Sequence, residues 1–141
     1  MLTLRHQDGD IHYQFVSGGF HYDGQHFYLS IEAHAINEEA FPDIYCLTLD
    51  RIPLANGFNS QEVVVSTNSS DKPPNIYVYT TFHAAEVNGR VLIEVTSPNK
   101  LLATLSITSE DVNYYDERAK PNTLSGKVEL SAISKNQLWL P

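Results

Sequence analysis

Residues 20–35 constrain the fold of this chain more than any other part of its sequence. They contain Asp23-Gly24, the strongest short-range signal for a β-hairpin, because a type I′ turn needs positive φ at both central residues and this dipeptide tolerates it. Around this turn, apolar and polar side chains alternate, which places them on opposite faces of a strand. The stretch therefore predicts an antiparallel strand pair with one buried and one polar face.

The pattern assigns each side chain of this hairpin to a face. A two-residue loop at Asp23-Gly24 would pair Tyr22 with Gln25, and His21 with His26. The apolar face then consists of Phe20, Phe27, Leu29, Ile31, Ala33 and Ala35. The polar face consists of His21, His26, Tyr28, Ser30, Glu32 and His34.

Strand signals separated by turn residues recur along the rest of the chain. Further strands are predicted at residues 11–16, 44–52, 62–67, 76–87, 90–97, 101–108 and 124–133. Ser17-Gly18-Gly19 is expected to close the first of these, and Asn88-Gly89 predicts a second type I′ hairpin that pairs His83 with Glu94. The segment from Glu110 to Asn122 is the best candidate for one short helix or a long loop.

These patterns predict an all-β fold of about eight to nine strands in a single domain over residues 1–141. Hairpins with polar outer faces favour an antiparallel β-sandwich, with a β-barrel as the alternative. At most one short helix is expected, near residues 110–120.

The charge of the chain limits its partners. Asp and Glu number 17 against 9 Lys and Arg, which gives a net charge of -8. Nucleic acid is not an expected partner, because binding to phosphates needs clustered Lys and Arg. A basic protein or a cation suits this charge better. No apolar run approaches the roughly 18 residues of a membrane span. The N-terminal residues also lack the apolar core of a signal peptide, so a cytoplasmic protein is expected.

The sequence contains no signature of a catalytic, cofactor or metal site. Cys46, the one cysteine, lies in an apolar strand where a thiol usually packs as a small hydrophobe. His21 and His26, if paired, are two zinc ligands without a third, so no metal site is expected. Asp8-Gly9-Asp10 resembles the start of a calcium loop but lacks its later ligands. We therefore expect neither enzymatic activity nor a cofactor.

One acidic segment stands out as a candidate binding surface. It combines carboxylates with two tyrosines, which provide contact area at low entropic cost. The predicted partner-binding residues are Glu110, Asp111, Tyr114, Tyr115, Asp116 and Glu117.

The leading hypothesis is a non-enzymatic protein that acts through protein–protein interaction. An acidic inhibitor or immunity-type protein that neutralises a basic partner is one concrete version. The alternative is a β-sandwich or barrel that binds a small molecule or carbohydrate, with aromatic side chains as stacking platforms. Candidates for those platforms are Tyr13, Tyr22, Tyr28, Tyr77, Tyr79 and Trp139. An enzyme without a recognisable motif, using His83 or the histidine pair, is a second alternative.

Overall fold

The computed structural model describes residues 2–6, 9–35, 44–67, 75–80, 84–111 and 121–138. These residues form nine β-strands: β1 (Leu2–His6), β2 (Gly9–Tyr22), β3 (His26–Ala35), β4 (Ile44–Pro53), β5 (Gln61–Ser66), β6 (Ile76–Thr80), β7 (Ala84–Ser97), β8 (Lys100–Asp111) and β9 (Asn122–Ser131). A single 3-10 turn, Lys135–Gln137, follows β9. Among the described residues, no helix is long and apolar enough to cross a membrane.

All nine strands belong to one sheet with the order β5-β7-β8-β9-β1-β2-β3-β4-β6. Every pairing in it is antiparallel. The sheet curls so that β6, at one end of the order, also lies against β7 near the other end. The all-β prediction is therefore confirmed, and of the two architectures considered the chain has the barrel-like one. The gap left between β5 on one side and β4 and β6 on the other is called the seam.

The interior of the curled sheet is filled by apolar side chains, as expected where alternate residues of every strand point inward. Each strand contributes to this core. Its buried members are Leu2, Leu4, Ile11, Tyr13, Phe20, Phe27, Leu29, Ile31, Ala33, Tyr45, Leu47, Leu49, Ile52, Val63, Val65, Ile76, Val87, Val91, Ile93, Leu101, Ala103, Leu105, Ile107, Leu124 and Leu130. The inward face predicted at Phe27, Leu29, Ile31 and Ala33 is thus confirmed, and on the other face Tyr28 and Ser30 are also buried.

The register of the first hairpin differs from the prediction. Phe20 pairs with Leu29, and His21 pairs with Tyr28 instead of His26. The central pair of the turn is Gly24 and Gln25, with φ of 94° at Gly24, as a II′-type turn requires at its first central position. The Asp23 carboxylate accepts hydrogen bonds from the backbone N–H groups of Gln25 and His26, at 2.9 and 2.7 Å. These bonds hold Asp23 outside the central pair, and the two-residue shift leaves each side chain on its predicted face.

The predicted turn at Asn88-Gly89 is wrong, because both residues lie inside the continuous strand β7. Gly89 is extended and pairs with Ile107 of β8. A Cβ atom at Gly89 would lie 2.2 Å from the backbone oxygen of Ser106, so this glycine permits a close approach of two strands. The actual turn between β7 and β8 is at Pro98-Asn99. Glu94 accordingly pairs with Leu102, and His83 lies outside the described residues.

The predicted break at Ser17-Gly18-Gly19 is also absent, since β2 continues through it. Gly19 instead makes room for a segment on the outer face of the sheet: a Cβ there would lie 2.6 Å from Ile133. The Ile133 N–H donates to the backbone oxygen of Phe20 at 2.9 Å. Residues 132–138, called the C-terminal strap, thus cross the outside of the sheet. Lys135 Nζ lies 4.5 Å from the ring centre of Tyr28, which the strap buries.

The core contains polar groups near one end of the barrel. The Tyr45 hydroxyl and Ser109 Oγ are buried and have no hydrogen-bond partner among the described residues. The Tyr45 ring packs against Tyr13, with ring centres 6.2 Å apart. Burial raises the pKa of Tyr45, and the nearby Ser109 hydroxyl offsets only part of this rise. The fold therefore favours the neutral phenol.

Replacing Leu29 tests the assignment of the core face. Leu29 is fully buried, so Leu29→Ala should lower the free energy of unfolding by about 2–5 kcal/mol. Urea denaturation measures this change. Val64→Ala is the control, because the Val64 side chain is 70% exposed and should contribute less than about 0.5 kcal/mol. Equal effects of the two substitutions would contradict the assignment.

The buried phenol predicts a dependence on alkaline pH. Because the folded-state pKa of Tyr45 is raised, its contribution to stability is complete below about pH 10 and is lost as the pH rises further. At pH 7, Tyr45→Phe should lose at most the contribution of one hydrogen bond with Ser109, about 1 kcal/mol, and above pH 10 it should retain more of its stability than the wild type. Denaturation across pH 7–12 measures both. Tyr79→Phe, the same change at an exposed ring, should show no such gain, and an identical alkaline loss in Tyr45→Phe and wild type would refute the expectation.

Candidate functional site

Four connections between strands start and finish at the same end of the barrel. They follow the last residues of β1, β3, β6 and β8 and precede the first residues of β2, β4, β7 and β9. Antiparallel pairing requires this, since Ala35 pairs with Tyr13 and Thr80 pairs with Tyr45 at that end. The connections are residues 7–8, 36–43, 81–83 and 112–121.

The amino-acid sequence concentrates negative charge at this end. The four connections contain six acidic residues, Asp8, Glu38, Glu39, Asp43, Asp116 and Glu117, against two basic ones, Arg118 and Lys120. The adjoining strand ends add Asp10, Glu32, Glu86, Glu110 and Asp111, with Arg5 as the one Lys or Arg among them. We call this region the acidic end.

Two carboxylates face each other directly at the acidic end. Glu86 of β7 pairs in register with Glu110 of β8, and both alternate with the inward residues Val87 and Ser109. Like charges opposite each other on one sheet face are unfavourable for folding. Such a pair adds to the local negative potential that a cationic partner would relieve.

A third carboxylate, Glu32, lies on the outer face of β3. Glu32 Oε1 lies 2.8 Å from His34 Nε2, and both side chains are partly exposed. Across the sheet, Glu32 is in register with Ser17 on one side and Cys46 on the other, and Cys46 is in register with Tyr79. A row of outward side chains thus crosses four strands.

Two large aromatic side chains are exposed here, Tyr79 in this row and Phe15 on β2. Phe15 and Tyr79 are each 61% exposed. Phe15 points outward because a β-bulge between Tyr13 and Phe15 places one extra residue on β2, so that Phe15 pairs with His34. The bulge reverses the face that simple alternation from Ile11 would give. The outer face at this end therefore presents aromatic surface beside a carboxylate.

A pocket of about 300 Å³ opens on the same outer face. Ser17, Ser30, Glu32 and Cys46 line it from the sheet, and Ile133 and Gln137 line it from the C-terminal strap. Burial and the Glu32 carboxylate both raise the pKa of the Cys46 thiol. The thiol is therefore protonated at neutral pH and lacks the thiolate character of a nucleophile.

The structure describes only part of the predicted partner-binding segment. Glu110 is exposed near the end of β8, and Asp111 is the last residue of that strand. Tyr114, Tyr115, Asp116 and Glu117 lie outside the described residues. They belong to the connection between β8 and β9, which leaves and rejoins the barrel at the acidic end.

The predicted histidine pair does not form, because His21 pairs with Tyr28 and its Nδ1 lies 3.1 Å from the backbone oxygen of Ile133. Within the described residues, no group of three or more His, Cys, Asp or Glu side chains is placed to hold a metal ion. Of the proposed stacking residues, Tyr13 and Tyr28 are buried, Tyr22 and Tyr77 are half-buried, and Tyr79 is exposed. Trp139 is outside the described residues.

Sequence reasoning named Tyr79 as a candidate stacking residue but missed Phe15 and the pocket beneath the strap. Alternation in residues 26–35 did place Glu32 and His34 on the outer face. The exposure of Phe15 depends on the bulge. The pocket depends on the close approach of Gly19 and Ile133, two residues that are 114 positions apart in sequence. Two adjacent glycines in a long strand were the one available signal of close approach.

Comparisons with family models, curated proteins and solved structures found no match to this chain.

The protonated thiol yields a test of the outer-face geometry. An ordinary cysteine thiol has a pKa of about 8.5. Alkylation of Cys46 by iodoacetamide should follow a pH profile with a midpoint above that value. Glu32→Gln should shift the midpoint to lower pH, because it removes a negative charge that raises the thiol pKa. Cys46 is the one cysteine in the chain, so mass spectrometry reports this site alone.

Glu129→Gln, at an exposed carboxylate on β9, should leave the alkylation profile unchanged. A wild-type midpoint below 8.5, or identical profiles for wild type and Glu32→Gln, would contradict the described contact.

Proposed function

We propose that this chain is a non-enzymatic binding protein that acts through protein–protein interaction with a basic partner. An acidic inhibitor or immunity-type protein is the specific form of this proposal. The observation that carries it is the convergence, at one end of the barrel, of four connections that together contain six acidic residues against two Lys or Arg. The proposed contact surface includes Glu110, Asp111, Tyr114, Tyr115, Asp116 and Glu117.

The aromatic side chains beside the acidic end support a protein partner. Exposed aromatic residues commonly anchor protein interfaces, whereas carboxylates around them select for Arg and Lys. Phe15 and Tyr79 provide such anchors, and Glu32 provides a carboxylate between them in the sheet. The filled interior supports a contact on the outside of the barrel.

A cytoplasmic location is part of the proposal. The single cysteine leaves the chain without an internal disulfide, which suits a reducing compartment.

The outer-face pocket supports a second candidate, binding of a small molecule or carbohydrate. Its volume, about 300 Å³, is at the lower limit of ligand pockets. Tyr79, in register with the pocket residue Cys46, offers an exposed aromatic ring on the neighbouring strand. NMR titration with a panel of monosaccharides tests this candidate. If it is correct, the amide chemical shifts of Ser30, Glu32 and Gln137 should change and reach saturation.

Charge reversal at the acidic end tests the leading proposal. A partner is first recovered by affinity capture from the cells that produce the protein, and its binding kinetics are measured at two salt concentrations. Asp111→Lys combined with Asp116→Lys should lower the association rate, because electrostatic steering is screened beyond about 8 Å at physiological ionic strength. Tyr114→Ala or Tyr115→Ala should mainly raise the dissociation rate.

The matched control reverses two carboxylates far from the acidic end. Glu94→Lys combined with Glu129→Lys changes the net charge by the same amount, and these residues flank Leu102 in one row of the sheet. An equal loss in the control would mean that net charge alone matters. An affinity indifferent to salt and to all the substitutions would refute the acidic surface and favour the outer-face pocket.

A further inference from the structure

Among the described strands, none pairs with the edge of β5 that faces the seam. β5 is the terminal strand of the sheet and pairs only with β7 among the described strands. A groove of about 270 Å³ runs beside all six of its residues. The opposite wall of the groove is formed by Ile52, Pro53, Ala55 and Asn75.

The backbone groups that face this groove follow from the pairing with β7. The Thr67 N–H donates to the backbone oxygen of Val87 at 2.8 Å, directly beyond the end of the β5–β7 ladder. In an antiparallel ladder, hydrogen-bonded pairs alternate with pairs whose N–H and C=O groups point away from the partner strand. Val65 and Val63 therefore bond to β7, whereas the N–H and C=O groups of Glu62 and Val64 point into the seam.

The two walls of the seam differ in how well they resist strand addition. On the β4 side, Pro53 has no N–H, and Arg51 interrupts the regular strand with φ of 53°. Proline and irregular backbone are common protections of exposed strand edges. β5 has neither, and its Val63-Val64-Val65 sequence strongly favours extended structure.

We propose that β5 accepts an extended segment of a basic partner protein as an additional strand that fills the seam. This inference rests on the proposed function and specifies how the partner binds. Main-chain hydrogen bonds to Glu62 and Val64 hold the segment, as in other cases of β-strand addition. The mechanism needs no deep pocket, which suits the filled core.

The residues around the seam define the side chains of that segment. Val63, Val65 and Ile52 are buried, so the alternate side chains that point inward are apolar. On the outer face the segment lies beside the exposed Val64 and Glu62. The Glu62 carboxylate lies 3.6 Å from Arg90 and is half exposed, so a Lys or Arg in the segment can share it. The net charge of -8 opposes a second copy of the chain as the occupant.

Amide hydrogen exchange provides the first part of the test. In the free protein, the amides of Glu62 and Val64 should exchange rapidly, while those of Val63 and Val65 are protected by β7. The probe is a capped six-residue peptide of alternating lysine and valine. Its binding should protect Glu62 and Val64, and a peptide of alternating glutamate and valine should bind about tenfold more weakly or worse.

Substitution at one position separates backbone pairing from side-chain contact. Val64→Pro removes an N–H that faces the seam and leaves the bonds of β5 to β7 in place, so it should weaken binding of the lysine–valine peptide by about tenfold or more. Val64→Thr keeps the N–H and a branched side chain and should stay within about twofold of wild type. Thermal unfolding of both variants checks that the barrel remains folded.

Three results of the hydrogen-exchange and peptide experiments would overturn the proposal. The first is protection of the Val64 amide from exchange in the free protein that grows with protein concentration. The second is binding of the lysine–valine peptide that is unchanged by Val64→Pro. The third is that the peptide protects only amides outside β5. The first result would identify a second copy of the chain as the occupant of the seam. A separate result is a recovered partner that loses binding to the variant with Asp111→Lys and Asp116→Lys and still binds the Val64→Pro variant. That result would support the proposed function and refute this mode of binding.

Discussion

The packing of inward side chains from nine strands inside one curved sheet is the constraint on which the rest of this structure depends. Each strand gives alternate residues to a common interior, so the other half of each strand must face outward. The outer face is where the chain places its carboxylates, its exposed aromatic rings and the C-terminal strap. A barrel of this size leaves an interior that side chains can fill. Recognition is consequently proposed for the outside, the acidic end and the seam.

Two departures from regular pairing shape the outer surface. The bulge before Phe15 turns an aromatic ring outward, beside His34 and near Glu32. Gly19 lets Ile133 approach the sheet, so that the strap buries Tyr28 and forms one wall of the pocket. Both features lie in β2, so this one strand shapes much of the candidate site.

The sequence was sufficient to predict an all-β fold of about nine strands and the inward residues of β3, but not every strand boundary or the pairing. Alternation in residues 27–33 is a local property, and it survives a register shift of two residues at the first turn. The register depends on the Asp23 carboxylate, which accepts two backbone N–H groups and moves the turn to Gly24-Gln25. Asn88-Gly89 carries the same local signal as a true turn, yet contact with Ser106, distant in sequence, decides its extended conformation. The acidic end depends on topology, which no single segment encodes.

The position of β1 also has a consequence for how the chain acquires its structure. β1, the first strand, lies between β2 and β9, the last strand. The pairing of β1 with β9 joins one group of strands, β2, β3, β4 and β6, to the other, β5, β7, β8 and β9. Contacts between such distant parts of a chain form slowly, because loop closure costs entropy before the pairing is gained. During synthesis, Leu2 and Leu4 therefore lack one of their neighbouring strands until Asn122–Ser131 has been made.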